Sequence, residues 1–223
     1  MKTAIVVGMQ SEANIVGQRP DTLVVVGAGD AIKLAADLEA AIAGGCDHVL
    51  SFGTCGALDP ALEAGEIVVG WSLTGPALTI ACDRAWASSL LASAGGKIVV
   101  ATVATKTVAS AADKAALRIL THADVVDFET CVAARVASAH GIRFAMLRSV
   151  SDTADQDIPP AALAALGAGG GVDVWAVIEQ LAADDAQLPA LMRLAESSSL
   201  AFGALAQALA DIGMNYGAAD DAP

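Results

Sequence analysis

Short β-branched runs alternate with helix-patterned stretches along this chain, and the clearest stretch of that alternation, Val125 to Asp155, also carries its best-placed acids. Val125 to Phe128 is a short apolar run ending at Glu129. Thr130 to His140 puts Val132, Val136 and Ala139 on one helical face, with Gly141 as its stop, and Ile142 to Val150 reads as a buried strand. Strand, helix and strand in so short a span predict a parallel crossover unit, and in open α/β sheets ligands sit beyond the carboxyl ends of the strands. Glu129 and Asp152 both fall at such ends. Either acid alone would read as a helix-start or capping group; two at consecutive strand ends point to a site.

The rest of the chain keeps the same rhythm. Ala4 to Gly8, Leu23 to Gly27, His48 to Phe52, Glu66 to Gly70 and Lys97 to Val108 read as strands. Asp30 to Ala43, with Asp30 as its cap and Gly44 and Gly45 as its stop, reads as a helix, as do Arg84 to Ala94, Ser110 to Leu120, Val172 to Ala183 and Leu188 to Gly213. Between them lie a glycine-bearing turn in S-F-G-T-C-G-A-L-D-P (Ser51 to Pro60), an irregular stretch from Trp71 to Asp83 with one β-like piece, and a Pro- and Gly-rich loop from Asp157 to Gly171. Residues Ala218 to Pro223 read as a frayed tail. With no internal repeat and no linker-like boundary, residues 1–223 are expected to form a single α/β domain.

Composition narrows what a site in such a domain serves. The chain has 223 residues, 55% of them hydrophobic, enough for a large core, and 25 acidic against 12 basic residues give a net charge of -13. That balance argues against nucleic acid and against electrostatic attraction to an anionic membrane. Cys46, Cys55, Cys82 and Cys131 show no metal-ligand or C-x-x-C spacing, and His48, His122 and His140 are scattered, so reduced thiols in a cytoplasmic protein are expected, with no metal and no cofactor. The start M-K-T-A-I-V-V-G has too short an apolar run for a signal peptide, and no run approaches the ~20 residues of a membrane span.

Three further motifs need weighing. Gly27-Ala28-Gly29 after a strand suggests a dinucleotide fingerprint, but Ile32 stands at the third glycine position and no acid ends the second strand. Gly53-Thr54-Cys55-Gly56 suggests a nucleophile turn, yet nothing local selects a base for Cys55, which reads better as a small packed residue beside a binding turn. Glu12, just after the first strand in Gly8-Met9-Gln10-Ser11-Glu12, reads equally well as a helix-start acid and as a site residue.

Taken together, the strand-end Gly8 to Glu12, the S-F-G-T-C-G-A-L-D-P turn followed by A-G-E-I-V-V, the D-F-E-T segment and the S-D-T-A-D segment resemble the purine nucleoside phosphorylase and nucleosidase superfamily over nearly the whole chain. The resemblance implies a three-layer sandwich around a mixed, largely parallel twisted sheet, and a homodimer. It is closest to the adenosine-type nucleosidases, and D-x-W (Asp173 to Trp175) followed by L-P-A-L-M-R-L-A (Leu188 to Ala195) is similar to the hopanoid-associated phosphorylase subgroup, which removes adenine from adenosylhopane. On that resemblance Glu12 positions the attacking water, Glu129 binds the ribose hydroxyls, and Asp152 in its S-D segment with Ser151 protonates the purine. Gly8, Gly53, Thr54 and Gly56 line the nucleophile side, and Phe128, where the family has Met, lies against sugar or base.

These residue types suit the chemistry. Breaking a purine N-glycosidic bond builds positive charge on the ribosyl ring and negative charge on the base, so an acid at the base and an acceptor near the sugar both favour the transition state. Asp152 is expected to be protonated near neutral pH because it is buried beside other acids, and Glu129 to be an ionised acceptor. The phosphorylases carry arginines where this chain has Ser51 and Glu12, which favours water over inorganic phosphate as co-substrate, although Arg19 or Lys106 could reach in from a loop. Two apolar segments, Trp71 to Thr79 and Pro159 to Gly171, are expected to admit a large apolar 5' group of a lipid-linked adenine nucleoside, with transient membrane contact. A methylthioadenosine-type nucleosidase and a non-catalytic nucleoside- or lipid-binding module are the rival readings.

Overall fold

The β-branched runs form strands whose two faces are both covered, so successive side chains feed two separate cores. The computed structural model describes residues 1–75, 78–104, 107–165 and 170–218. In order these form β1 (Thr3–Val7), α1 (Gln10–Val16), β2 (Thr22–Val26), α2 (Ala31–Ala43), β3 (His48–Ala57), β4 (Ile67–Gly75), β5 (Leu78–Ala81), α3 (Arg84–Ala94) and β6 (Lys97–Val103). There follow α4 (Ala111–Thr121), β7 (Val125–Asp127), α5 (Glu129–His140), β8 (Arg143–Asp152), α6 (Pro160–Ala164), α7 (Val174–Ala183) and α8 (Leu188–Asp211). Alternation is plain in β1 and β3. Ala4, Val6, Val49 and Cys55 enter one core with Leu34 and Leu38 of α2 and Ala133, Ala134 and Ala137 of α5, while Ile5, Val7, Leu50 and Phe52 enter the other with Trp86 of α3 and Leu205 and Leu209 of α8. Helices thus cover both faces of one mixed sheet, giving a single three-layer α/β domain, and the alanine face of α5 lets it lie close to the strands.

The sheet runs β2-β1-β3-β7-β6-β4-β5, and β8 pairs with both β3 and β4. Parallel pairings (β1 with β2 and β3, β3 with β8, β6 with β4 and β7) outnumber the antiparallel ones, as expected. The crossover at Val125 to Asp155 is not parallel, however. β7 is antiparallel to β3 while β8 is parallel to it, so the two strands joined by α5 run in opposite directions. Their carboxyl ends still meet because β3 lies between them: Gly56 is opposite Val126 on one side and Asp152 on the other, at a register shift between Cys55 and Gly56. Such a bulge bends and twists a strand, and here it brings two edges to one place.

Other departures have the same origin in pairing. The expected glycine turn is strand: β3 continues to Ala57, its glycines accommodating close neighbours rather than a reversal. Trp71 to Asp83 is not irregular, since β4 extends to Gly75 and pairs antiparallel with β5. β6 stops at Val103, and Asp157 to Gly171 contains α6, started by Pro160 in its first turn. Ala218 is buried and donates its N–H to Asn215, so the expected fraying does not reach it; 219–223, like Lys106, Leu166 and Pro76, lie outside the described residues. No helix among the described residues is long and apolar enough to cross a membrane.

Candidate active site

A cavity of about 430 Å³ opens where β1, β3, β7 and β8 end, and Gly8, Glu12, Thr54, Gly56, Phe128, Glu129, Ser151 and Asp152 all line it. Gly53 is the exception among the expected residues. It lies beneath the site with φ 148°, and a Cβ there would come within 2.6 Å of the Glu12 carboxyl and 2.7 Å of Arg148 Nη1, so only glycine fits. Gly27, the residue of the dinucleotide look-alike, does the same for Glu129: a Cβ would stand 2.6 Å from its Cγ. Gly53 and Gly56, three residues apart on β3, seat Glu12 and Asp152 respectively.

Glu12 sits in the first turn of α1 and its carboxylate accepts from four donors. Oε2 takes the N–H groups of Gly8 (2.8 Å) and Met9 (3.0 Å), and Oε1 takes the N–H (2.7 Å) and hydroxyl (3.0 Å) of Thr54. Glu12 is therefore a helix-start acid that also lines the cavity. Of its four donors the Thr54 hydroxyl alone rotates freely, so a water can take its place at Oε1 without disturbing the backbone.

Glu129 opens α5, buried between Gly8 and Gly27. Burial pushes its carboxyl up to about 7; Arg148 opposes this, and Asp127 and Glu12 add to it. Burial thus works against the plain ionised acceptor expected from the sequence. A carboxyl raised from 4.5 to about 7 favours the folded state fully below pH 4.5 and loses that contribution as pH rises towards and past 7. Glu129→Gln should therefore make the ligand-free protein more stable than wild type at pH 8, by up to about 3 kcal/mol at 1.36 kcal/mol per unit, with the gain vanishing near pH 4.5. Denaturant unfolding at both pH values checks this, and an equal difference at the two would contradict it.

The sequence reading missed Arg148. It projects from the middle of β8, fully buried, and donates from Nη2 to Ser51 Oγ (2.6 Å) and Thr130 Oγ1 (3.0 Å) and from Nη1 to the Thr54 carbonyl (3.2 Å), with Nε 3.6 Å from Asp127 Oδ2. Burial alone would lower its pKa, but Asp127, Glu12 and Glu129 together raise it. An arginine inside an otherwise apolar strand was the available signal. Arg19, by contrast, is held at Gly213 and Tyr216 and does not line the cavity. Cys55 is no nucleophile, since complete burial raises its thiol well above 9.

Asp152 also departs from expectation. Its direct charged partner is a cation: the buried Lys114 of α4 places Nζ 2.5 Å from Oδ1, while Ser151 Oγ donates to Oδ2 at 2.8 Å. Trp71, expected at the 5' side, is in the sheet under Arg84, whose guanidinium carbon lies 3.7 Å from its ring centroid, and Leu73 is in the core; neither lines the cavity.

Fold and pocket together define an enzyme of the nucleoside phosphorylase and nucleosidase class. The model of the phosphorylase superfamily matches residues 11–188, and this chain belongs to that superfamily. Among solved structures it is similar to the 5'-methylthioadenosine/S-adenosylhomocysteine nucleosidase of Neisseria meningitidis in complex with methylthio-immucillin-A (TM-score 0.69, 16% identity, covering 96% of this chain and 99% of that one). It is similar also to the futalosine hydrolase of Helicobacter pylori strain 26695 (0.67, 17%, 93% and 97%) and to the corresponding Campylobacter jejuni nucleosidase (0.62, 18%, 89% and 99%). No curated protein sequence matches it.

Proposed function

We propose that this protein hydrolyses the N-glycosidic bond of an adenine nucleoside with a large apolar 5' group, adenosylhopane, releasing adenine in hopanoid biosynthesis in the cytoplasm, as a homodimer. The observation that carries this reading is the lining of one cavity by Glu12, Glu129 and Asp152. Asp152 protonates the purine as the bond breaks, Glu129 takes the ribose hydroxyls, and Glu12 holds the water that attacks the anomeric carbon.

Water is favoured over phosphate by charge. Among the described residues, Glu12, Asp127, Glu129 and Asp152 line the cavity against one cation, Arg148, whose Nη groups already serve Thr54, Ser51 and Thr130. A phosphate dianion beside Glu12 would meet repulsion with no free fork to receive it. The similar structures, a futalosine hydrolase and nucleosidases, accord with this.

The apolar 5' side rests on the other wall. Val108, Ile158, Ala162, Leu163, Leu194 and Phe202 line the cavity, and Gly170 and Gly171 at its rim lead into α7, none of whose residues is buried. Trp175 is 75% exposed, beside Val172 and Val174. Leu163→Ser with Leu194→Ser should weaken apparent affinity for adenosylhopane roughly tenfold per leucine, at 1.5–3 kcal/mol for a buried side chain, and leave adenosine nearly unchanged. Equal losses, or a change of oligomeric state with preference unchanged, would make this wall structural. A methylthioadenosine nucleosidase is the second reading, favoured by the structural likeness. Following free adenine from adenosylhopane, methylthioadenosine and adenosine decides between them; release from none would leave a binding module.

A further inference from the structure

We propose that Lys114 is a positioning residue for departure of the base, acting through Asp152. This rests on the reading of Asp152 as the acid. Lys114 is fully buried on α4, and its three N–H donors are all used: Asp152 Oδ1 at 2.5 Å, the Thr153 carbonyl at 2.7 Å and the Gln156 carbonyl at 2.9 Å. Taking an ammonium out of water costs several kcal/mol even when it is paired. A loop clamp needs no charge, since an amide or hydroxyl would bridge the two carbonyls. The charge is spent on one oxygen of one carboxyl group, the group at the purine end of the cavity.

The assignment of the two oxygens follows. Oδ1 is enclosed between Lys114 and Gly56, where a Cβ would stand 3.0 Å away, while Oδ2 is held by the Ser151 hydroxyl and is the oxygen left to face a substrate. In the reaction the bond from the anomeric carbon to the purine breaks and its electron pair goes to the base. Oδ2 of the Lys114-paired carboxylate takes up a proton from solvent before the bond breaks and passes it to a base nitrogen, and water bonds to the anomeric carbon and gives its proton to Glu12. The negative charge left on Asp152 develops 2.5 Å from a fixed cation that needs no rearrangement to receive it. Lys114 itself touches neither substrate nor reacting atoms.

Leaving-group dependence separates this role from a structural one. A 4-nitrophenyl riboside departs as a stabilised phenolate and needs no proton, whereas adenine does. Lys114→Met should lose on the order of 100-fold in kcat on adenosine, within the range of a positioned acid, and stay within a few-fold of wild type on 4-nitrophenyl riboside. Lys114→Gln, which keeps donors for Thr153 and Gln156, should behave alike if the Met variant does not fold. In an Asp152→Asn background either change should cost nothing further. Parallel losses on both substrates, additive losses with Asp152→Asn, or near-wild-type adenine release would overturn the role of Lys114 while leaving the enzyme a nucleosidase. A wild-type protein that releases no adenine would instead remove the reading on which this rests.

Discussion

Asp152→Asn should reduce adenine release by ~100-fold to 10,000-fold, the range of a lost general acid, while nucleoside binding stays nearly intact. Asn keeps the shape of the side chain and one acceptor oxygen for Lys114, with its NH₂ turned to the Ser151 oxygen, but it has no acidic proton to give to the base. Loss of the carboxylate also leaves the buried Lys114 ammonium without its counter-charge. Uncompensated buried charge costs about 3–5 kcal/mol, so a lowered melting temperature should accompany the loss of turnover. Calorimetric binding of adenosine to the variant, beside its turnover, distinguishes the two effects. Turnover within a few-fold of wild type would show that Asp152 is not the acid.

Glu12→Gln should be nearly as damaging. The wild-type carboxylate accepts from two backbone N–H groups on one oxygen and from both donors of Thr54 on the other. A glutamine must turn its NH₂ towards one of those pairs, placing donor against donor in a buried site, and it has no basic oxygen to take a proton from water. The expected outcome is a loss of ~100-fold or more in kcat that added phosphate does not relieve. Rescue by phosphate would mean that Glu12 does not serve a water nucleophile.

The acids were legible in the sequence because each stands at the end of an apolar run, where periodicity stops and chemistry begins. Arg148 and Lys114 were not, for opposite reasons. Arg148 is concealed inside a strand that reads as core, and its partners Ser51, Thr130 and Asp127 are distant in sequence or hydrogen-bonded locally. Lys114 is one charge on an amphipathic helix, and only packing of α4 beside the end of β8 turns it towards Asp152. The direction of β7 was misread on similar grounds: it is three residues long and owes its direction to pairing with β3 and β6, which no local pattern records. Gly53 was placed on the wall by the family resemblance. Its actual place is set by the two side chains above it.

The most direct test of hydrolysis by a water held at Glu12, with the base leaving on the Asp152 proton, is adenine release from adenosylhopane in phosphate-free buffer made with ¹⁸O-labelled water. The account predicts full turnover without phosphate and one labelled oxygen at the anomeric carbon of the ribosyl product. A strict requirement for phosphate, with a ribose-1-phosphate-type product carrying no label from water, would contradict it.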